Sequence, residues 1–299
     1  MEPDMRPRFR MSKDMKLGAP TIRTEDIDDM LLFYELKLGL KVTKKLLKDG
    51  SETFELRTSP QKDTAPLMIL EHKQGYDRSP RNAAGLYHCG ILLPTRRDLA
   101  CVFAELGNSG VETEGYADHI ASEAIYLKDP EGNGIEIYAD RPASSWKFDI
   151  NGRLRMDTLH LDTESLLDEL SGDELETDSV SLPAGAKIGN MHLKVTDIDN
   201  SIQFYARKLG LDMVMQLTGA AFMSVNGYHH HMAVNTWESA GGYARAPNYS
   251  GLGTVKIIVP KDFIGVLASG LDRSAVSKLD ENGLWLSDPD GISILIAAQ

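Results

Sequence analysis

The sequence predicts an α+β protein built from four βαβββ units, paired into two homologous domains with curved open mixed sheets. Three repeats predict it. FYELKLGLKV at 33–42 returns as FYARKLGLDM at 204–213, with seven of ten positions alike in identity or type at an offset of 171. GLYHCGILLP at 85–94 returns as GLGTVKIIVP at 251–260, and DPEGNGIEI at 129–137 returns as DPDGISILI at 288–296. The offsets fall from 171 through 166 to 159, as they do when loops shorten between preserved elements. Self-similarity of this kind marks duplicated units. The expected domains are 16–140 and 187–299.

Each half divides again. In the first, a strand over 17–24 precedes a helix over 27–38, and short strands follow near 40–47, 51–58 and 66–72. The helix carries Ile27, Met30, Leu31, Tyr34 and Leu38 on one face, and Gly39 stops it. The later runs are β-rich and separated by Gly, Asp and Pro, which suits antiparallel strands. The order then repeats: strand 86–93, helix 96–107, and strands near 111–115, 122–128 and 134–139. Between the halves, 141–186 is acidic and Ser-rich and reads as a connector with one short helix at TESLLDEL. Residues 1–15 show no apolar periodicity and read as a flexible tail. Gly241, Gly242 and APNYSG read as a mobile loop.

The chain has 299 residues, 42% hydrophobic and 25% charged, with a formal net charge of −12. That length suits about two domains. A surface this acidic repels phosphate backbones and anionic lipid, so no nucleic acid and no membrane partner is expected. No apolar run approaches the ~20 residues of a membrane span, and no signal-peptide pattern stands near the N-terminus. Two cysteines, Cys89 and Cys101, make neither a disulfide framework nor a cysteine-ligated zinc site. Cys89 has apolar neighbours and reads as an inert thiol. A cytoplasmic setting is expected.

The chemistry-bearing residues of the first half cluster in 85–140. His88 stands in an apolar strand, His119 in a loop, Tyr126 near the end of the next strand and Glu136 in the last. Taken singly, Glu136 reads as a solvent-facing carboxylate and His88 as a hydrogen-bonded core imidazole. Taken together, they form a candidate site. The stretch YLKDPEGNGIE, with a histidine upstream, resembles the signature Y-x-x-D-P-x-G-N-x-x-E of extradiol dioxygenases in the vicinal oxygen chelate superfamily. GLYH-ILLP, SEAIYLKDPEGNGIEIYADRP and GYHHH resemble the bacterial two-domain catechol 2,3-dioxygenase-like proteins. This resemblance spans nearly the whole chain. It implies a glyoxalase/extradiol-dioxygenase-like fold, a metal held by His88 and Glu136, and catalytic contacts to substrate from His119 and Tyr126.

The second half departs from that pattern. Leu295 aligns with Glu136 and Thr254 with His88, and neither ligates a hard cation well. Its first unit offers His192 and the run GYHHH at 227–231, so His192 and His231 form an alternative metal pair, with His229 as a further candidate. Strand alternation would set His229 and His231 on one face and His230 on the other. In the first half Thr21 aligns with His192, so a second imidazole is missing there. A third ligand is sought at His119, His72 or His229.

The leading expectation is a metal-dependent extradiol-type ring-cleavage dioxygenase acting on a catechol- or hydroquinone-like aromatic and O2. Fe2+ is the expected metal, with Mn2+, Zn2+ or none as alternatives. A histidine such as His119 suits acid/base work because imidazoles titrate near neutrality. Two other readings stand beside it: a glyoxalase-like metal-dependent isomerase or lyase, and a non-enzymatic module binding an aromatic or drug-like ligand. Self-association as a homo-oligomer is left open.

Overall fold

In a βαβββ unit the closing strand lies beside the opening one, and the units of this chain follow that order. The computed structural model describes residues 10–46, 51–61, 63–150, 152–172, 180–271 and 276–299. The second unit runs β6 (Gly85–Leu93), α2 (Arg96–Asn108), β7 (Gly115–Asp118), β8 (Ser122–Lys128) and β9 (Gly134–Asp140). Its sheet order is β7-β8-β9-β6, with β6 parallel to β9 and the other pairs antiparallel. The third unit repeats this with β10 (Lys187–Lys194), α4 (Ile198–Ile202), β11 (Asp212–Leu217), β12 (Ala220–Ser224) and β13 (Met232–Asn235). The fourth does so with β14 (Gly251–Val259), α5 (Lys261–Gly270), β15 (Val276–Asp280), β16 (Gly283–Ser287) and β17 (Ser293–Ala298). The mixed sheets and the α+β class are therefore as expected.

The first unit follows the same strand order. Its β3 (Lys41–Leu46), β4 (Glu52–Arg57) and β5 (Met68–His72) form an antiparallel meander. Its opening strand β2 (Thr21–Thr24) completes the order β3-β4-β5-β2. Strand β2 also pairs antiparallel with β14, and β1 (Lys16–Leu17) pairs further along β14. Two compact units result. One holds the described residues of Met1–Arg23, Tyr76–Tyr87 and Asn190–Gln299; the other holds those of Thr24–Gly75 and His88–Gly189. Division by ancestry into 16–140 and 187–299 is a proposal; by packing, 16–23 and 76–87 join the later half.

Several local expectations change. Residues 1–9 lie outside the described residues, but 10–15 do not behave as a flexible tail. Met11 and Met15 are buried, and the Met11 N–H donates to the Gly210 carbonyl. The strand expected at 111–115 lies at Gly115–Asp118, because its register is set by β8, from Gly115 opposite Tyr126 to Asp118 opposite Glu123. The stretch APNYSG is held rather than loose: the buried Arg245 guanidinium donates to the carbonyls of Tyr249, Ser250 and Leu252. The connector helix is α3 (Thr163–Leu167), capped by the Asp162 carboxylate accepting from the Ser165 N–H. Part of the connector, 173–179, lies outside the described residues.

The repeated motifs turn out to be a clamp. Helix α1 (Ile27–Leu32) passes into a π-turn at Phe33–Lys37, and α4 into one at Gln203–Lys208. The expected plain helix over 27–38 is thus corrected. Each π-turn carries a fully buried tyrosine: Tyr34 donates to Asp129 at 3.1 Å, and Tyr205 donates to Asp288 at 2.9 Å. These aspartates open the DP-x-G turns, where each also accepts main-chain N–H groups of its own turn. Two residues on, Glu131 accepts from the Thr24 hydroxyl and the N–H groups of Glu25 and Asp26. Asp290 accepts likewise from Thr196. Thus the turn of one βαβββ unit is locked to the helix start of the preceding one, twice.

Burial pushes the carboxyl of Asp129 up to about 6 and that of Asp288 up to about 7, against the hydrogen bonds that favour their charged forms. A carboxyl raised in the folded state is fully tolerated below its unfolded value of ~3.9 and costs stability as pH climbs through the folded one. Asp288→Asn keeps an acceptor for the turn N–H groups and removes the charge. Urea unfolding at pH 5 and pH 8 should therefore show the stability difference moving in the variant's favour at the higher pH, by on the order of a few kcal/mol. A pH-independent difference would contradict it.

Candidate active site

Across a β-ladder, opposed residues point to the same side of the sheet. The register of β7, β8, β9 and β6 sets Gly115, Tyr126, Glu136 and Gly90 in one row. The phenol and the carboxylate are therefore flanked by residues without side chains. On the opposite face Ile125, Leu127, Ile135 and Ile137 are fully buried, as alternation requires. His88 precedes Gly90 by two residues and shares its face. Its Nε2 lies 3.5 Å from Glu136 Oε2, and both side chains are buried.

Tyr126 links this pair to the loop. Its hydroxyl lies 2.7 Å from Glu136 Oε1 and 2.6 Å from His119 Nε2, and its one proton is donated to one of these acceptors at a time. His119 Nδ1 lies 2.8 Å from the main-chain carbonyl of Asp157. A carbonyl only accepts, so Nδ1 carries the proton and Nε2 is the nitrogen turned to the phenol. The structure thus brings His88, Glu136, Tyr126 and His119 into one connected set, all within the unit holding His88–Gly189. Burial holds the His88 imidazole below the ordinary histidine range, against the opposing pull of Glu136 and with a smaller push the same way from His119. Its contact with Glu136 is therefore a neutral imidazole beside a carboxyl group, and neutral imidazole is the form that ligates metals.

One nitrogen and one carboxylate oxygen converging at 3.5 Å suit a divalent cation by donor type. Among the described residues no group of three or more His, Cys, Asp or Glu side chains is arranged to hold a metal. The histidines sought as a third ligand have other contacts. His119 is linked to Glu136 through Tyr126, His72 Nδ1 lies 3.2 Å from the Thr24 carbonyl, and His229 Nδ1 lies 2.8 Å from His230 Nδ1.

The alternation expected along the second-half histidines does not hold throughout. GYHHH lies ahead of β13, which begins at Met232, so strand alternation does not govern His229 and His230. His231 extends the ladder, with its N–H on Met223 and its carbonyl accepting from Met191. Its Nδ1 lies 2.7 Å from the Ser224 hydroxyl, while His192 Nε2 lies 2.9 Å from the Asn235 carboxamide. Around His192 stand the rings of Tyr87, Trp237 and Phe222 at 4.9, 5.4 and 5.7 Å. In the β2–β14 pair, Thr21 and Thr254 face each other at the positions aligned with His192 and His88. No imidazole stands at either place.

Sequence reasoning missed the supports of His119. Asp157 acts through its main chain, so its side-chain type carried no signal. Arg141, one residue beyond β9, was visible in YADRP but only as part of a signature.

Comparison with known proteins identifies the family and the fold. Residues 16–137 match the model of the Glyoxalase/Bleomycin resistance protein/Dioxygenase superfamily. A catechol-2,3-dioxygenase of Bacillus subtilis is 36% identical over 282 residues, covering 93% of this chain and 95% of that one. The chain belongs to this superfamily. Solved structures of the same fold include glyoxalase I from Zea mays, with a TM-score of 0.58 at 15% identity over 95% of this chain and 92% of that one. The cppA protein from Streptococcus pneumoniae gives a TM-score of 0.57 at 12% identity, over 95% of this chain and the whole of that one. As a superfamily member the chain shares its scaffold with proteins of differing chemistry, so the site must argue the reaction.

Proposed function

We propose that the protein is a metal-dependent extradiol-type dioxygenase that opens a catechol- or hydroquinone-like ring with O2. The observation that carries this reading is the connected set His119–Tyr126–Glu136–His88 on one sheet face. Its likeness to a catechol-2,3-dioxygenase over nearly the full length supports the same chemistry. His88 and Glu136 would hold the metal, for which Fe2+ is the first choice and Mn2+ or Zn2+ the alternatives. A divalent metal bound there would supply Lewis-acid binding of adjacent substrate oxygens and a place for dioxygen.

The chain's own groups do the rest. Tyr126 Oη hydrogen-bonds a ring oxygen and orients it. His119 Nε2, bare because Nδ1–H is held by the Asp157 carbonyl, takes a proton from the substrate hydroxyl and later returns it. The glycines at 90 and 115 leave room for a flat ring beside the phenol–carboxylate row. No helix among the described residues is long and apolar enough to cross a membrane. We place the protein in a reducing cytoplasm, and burial raises the Cys89 thiol to about 12, which makes it unreactive.

Metal analysis of the purified protein, followed by oxygen-electrode assays with catechols and hydroquinones, tests the reading. We expect one O2 consumed per ring opened, loss of activity after chelation, and recovery on adding ferrous iron. Turnover of a glutathione hemithioacetal without oxygen uptake would replace this reading with an isomerase. Tight ring binding by a metal-free, inactive protein would replace it with a binding module.

A further inference from the structure

We propose that Arg141 is a positioning residue for His119, acting with Asp118 and the connector to fix which imidazole nitrogen faces Tyr126. This rests on the proposed role of His119. The hairpin turn between β7 and β8 places His119 beside Ile120, whose φ of 70° is left-handed. A β-branched residue is a genuine outlier there. Such conformations persist only where the surroundings over-determine them.

Here they do. Asp118 Oδ1 accepts from the Ile120 N–H at 2.7 Å, and Arg141 donates to the Ile120 carbonyl at 3.3 Å. The same guanidinium donates to Asp118 Oδ2 and to the buried Glu123 Oε1, both at 2.9 Å. Its main-chain N–H closes the turn on the Ala121 carbonyl. Arg141 thus grips the turn on both sides of the histidine.

The connector supplies the other half. Asp118 and Leu159 exchange main-chain hydrogen bonds at 2.9 Å each way, which brings the Asp157 carbonyl to His119 Nδ1. Further along, Arg96 ties Glu123 to the Ser165 carbonyl and to Glu169, so the network under the turn also anchors α3. The connector is therefore part of the site's frame. Lysine in place of Arg141 keeps the charge but cannot reach three acceptors in fixed geometry.

The test is a pair of readouts on the full chain. With 15N-labelled histidine, the ring signals of His119, assigned by their loss in His119→Gln, should show the Nδ1–H form when the ring is neutral. In Arg141→Lys the Nε2–H form should appear, metal content should hold, and kcat should fall by roughly 10- to 100-fold with KM little changed, the scale of a misplaced catalytic group. In a His119→Gln background the same substitution should cost no further activity. Asp118→Asn, which removes one Arg141 partner and keeps the turn's acceptor, serves if Arg141→Lys does not fold. An unchanged tautomer in folded variants, or losses that multiply, would overturn the proposal. A tautomer that shifts as expected while His119→Gln turns over at the native rate would uphold the positioning and overturn the acid/base role instead.

Discussion

Glu136→Ala is expected to abolish ring cleavage and metal retention together. The carboxylate is buried, 3.5 Å from the His88 nitrogen on one side and hydrogen-bonded to Tyr126 on the other. Alanine removes the carboxylate from this linked set, and one imidazole is too little for a divalent cation that seeks mixed nitrogen and oxygen ligands. Glu136→Gln separates charge from shape, since it keeps an oxygen to accept from Tyr126. Metal content should fall in both variants, while thermal unfolding should change less in the glutamine variant, whose volume is preserved. The measurements are metal analysis and oxygen uptake on the same preparations. Normal uptake in Glu136→Ala would refute the assignment and move the search to His192 and His231.

His119→Ala should leave the metal bound and slow turnover by roughly two to four orders of magnitude, the usual scale for a positioned acid/base. His119 is not expected among the metal ligands, because its Nε2 is engaged with the Tyr126 hydroxyl and its Nδ1 with a main-chain carbonyl. Loss of metal together with activity would make it a ligand instead and remove the basis for an acid/base role. Tyr126→Phe separates the two groups further. It breaks the bridge to Glu136 while preserving ring volume, so its cost should fall on turnover more than on metal content.

Legibility varied with the distance over which each residue acts. His88, Tyr126 and Glu136 were readable because strand alternation and the spacing around DPEGNG place them on one sheet face, and the ladder confirms that geometry. The run GYHHH misled, since an alternating reading assumes a strand that begins only at Met232. The π-turns were invisible because a widened turn leaves the apolar spacing almost unchanged; what stabilises it is a tyrosine–aspartate bond spanning 95 residues in one half and 83 in the other.

By itself the sequence determined the unit and its duplication. Apolar periodicity, Asp and Thr at helix starts, and glycines at turns act within a few residues, so they are written locally and recur wherever the unit recurs. Only the tertiary structure decided that β2 pairs with β14, that the DP-x-G turns lock onto the preceding helix starts, and that the connector's Asp157 carbonyl aims His119. Those contacts join residues far apart in the chain, several through main-chain atoms that every residue possesses. A donor or acceptor common to all residue types leaves no mark in the sequence, and only the folded backbone shows where it points.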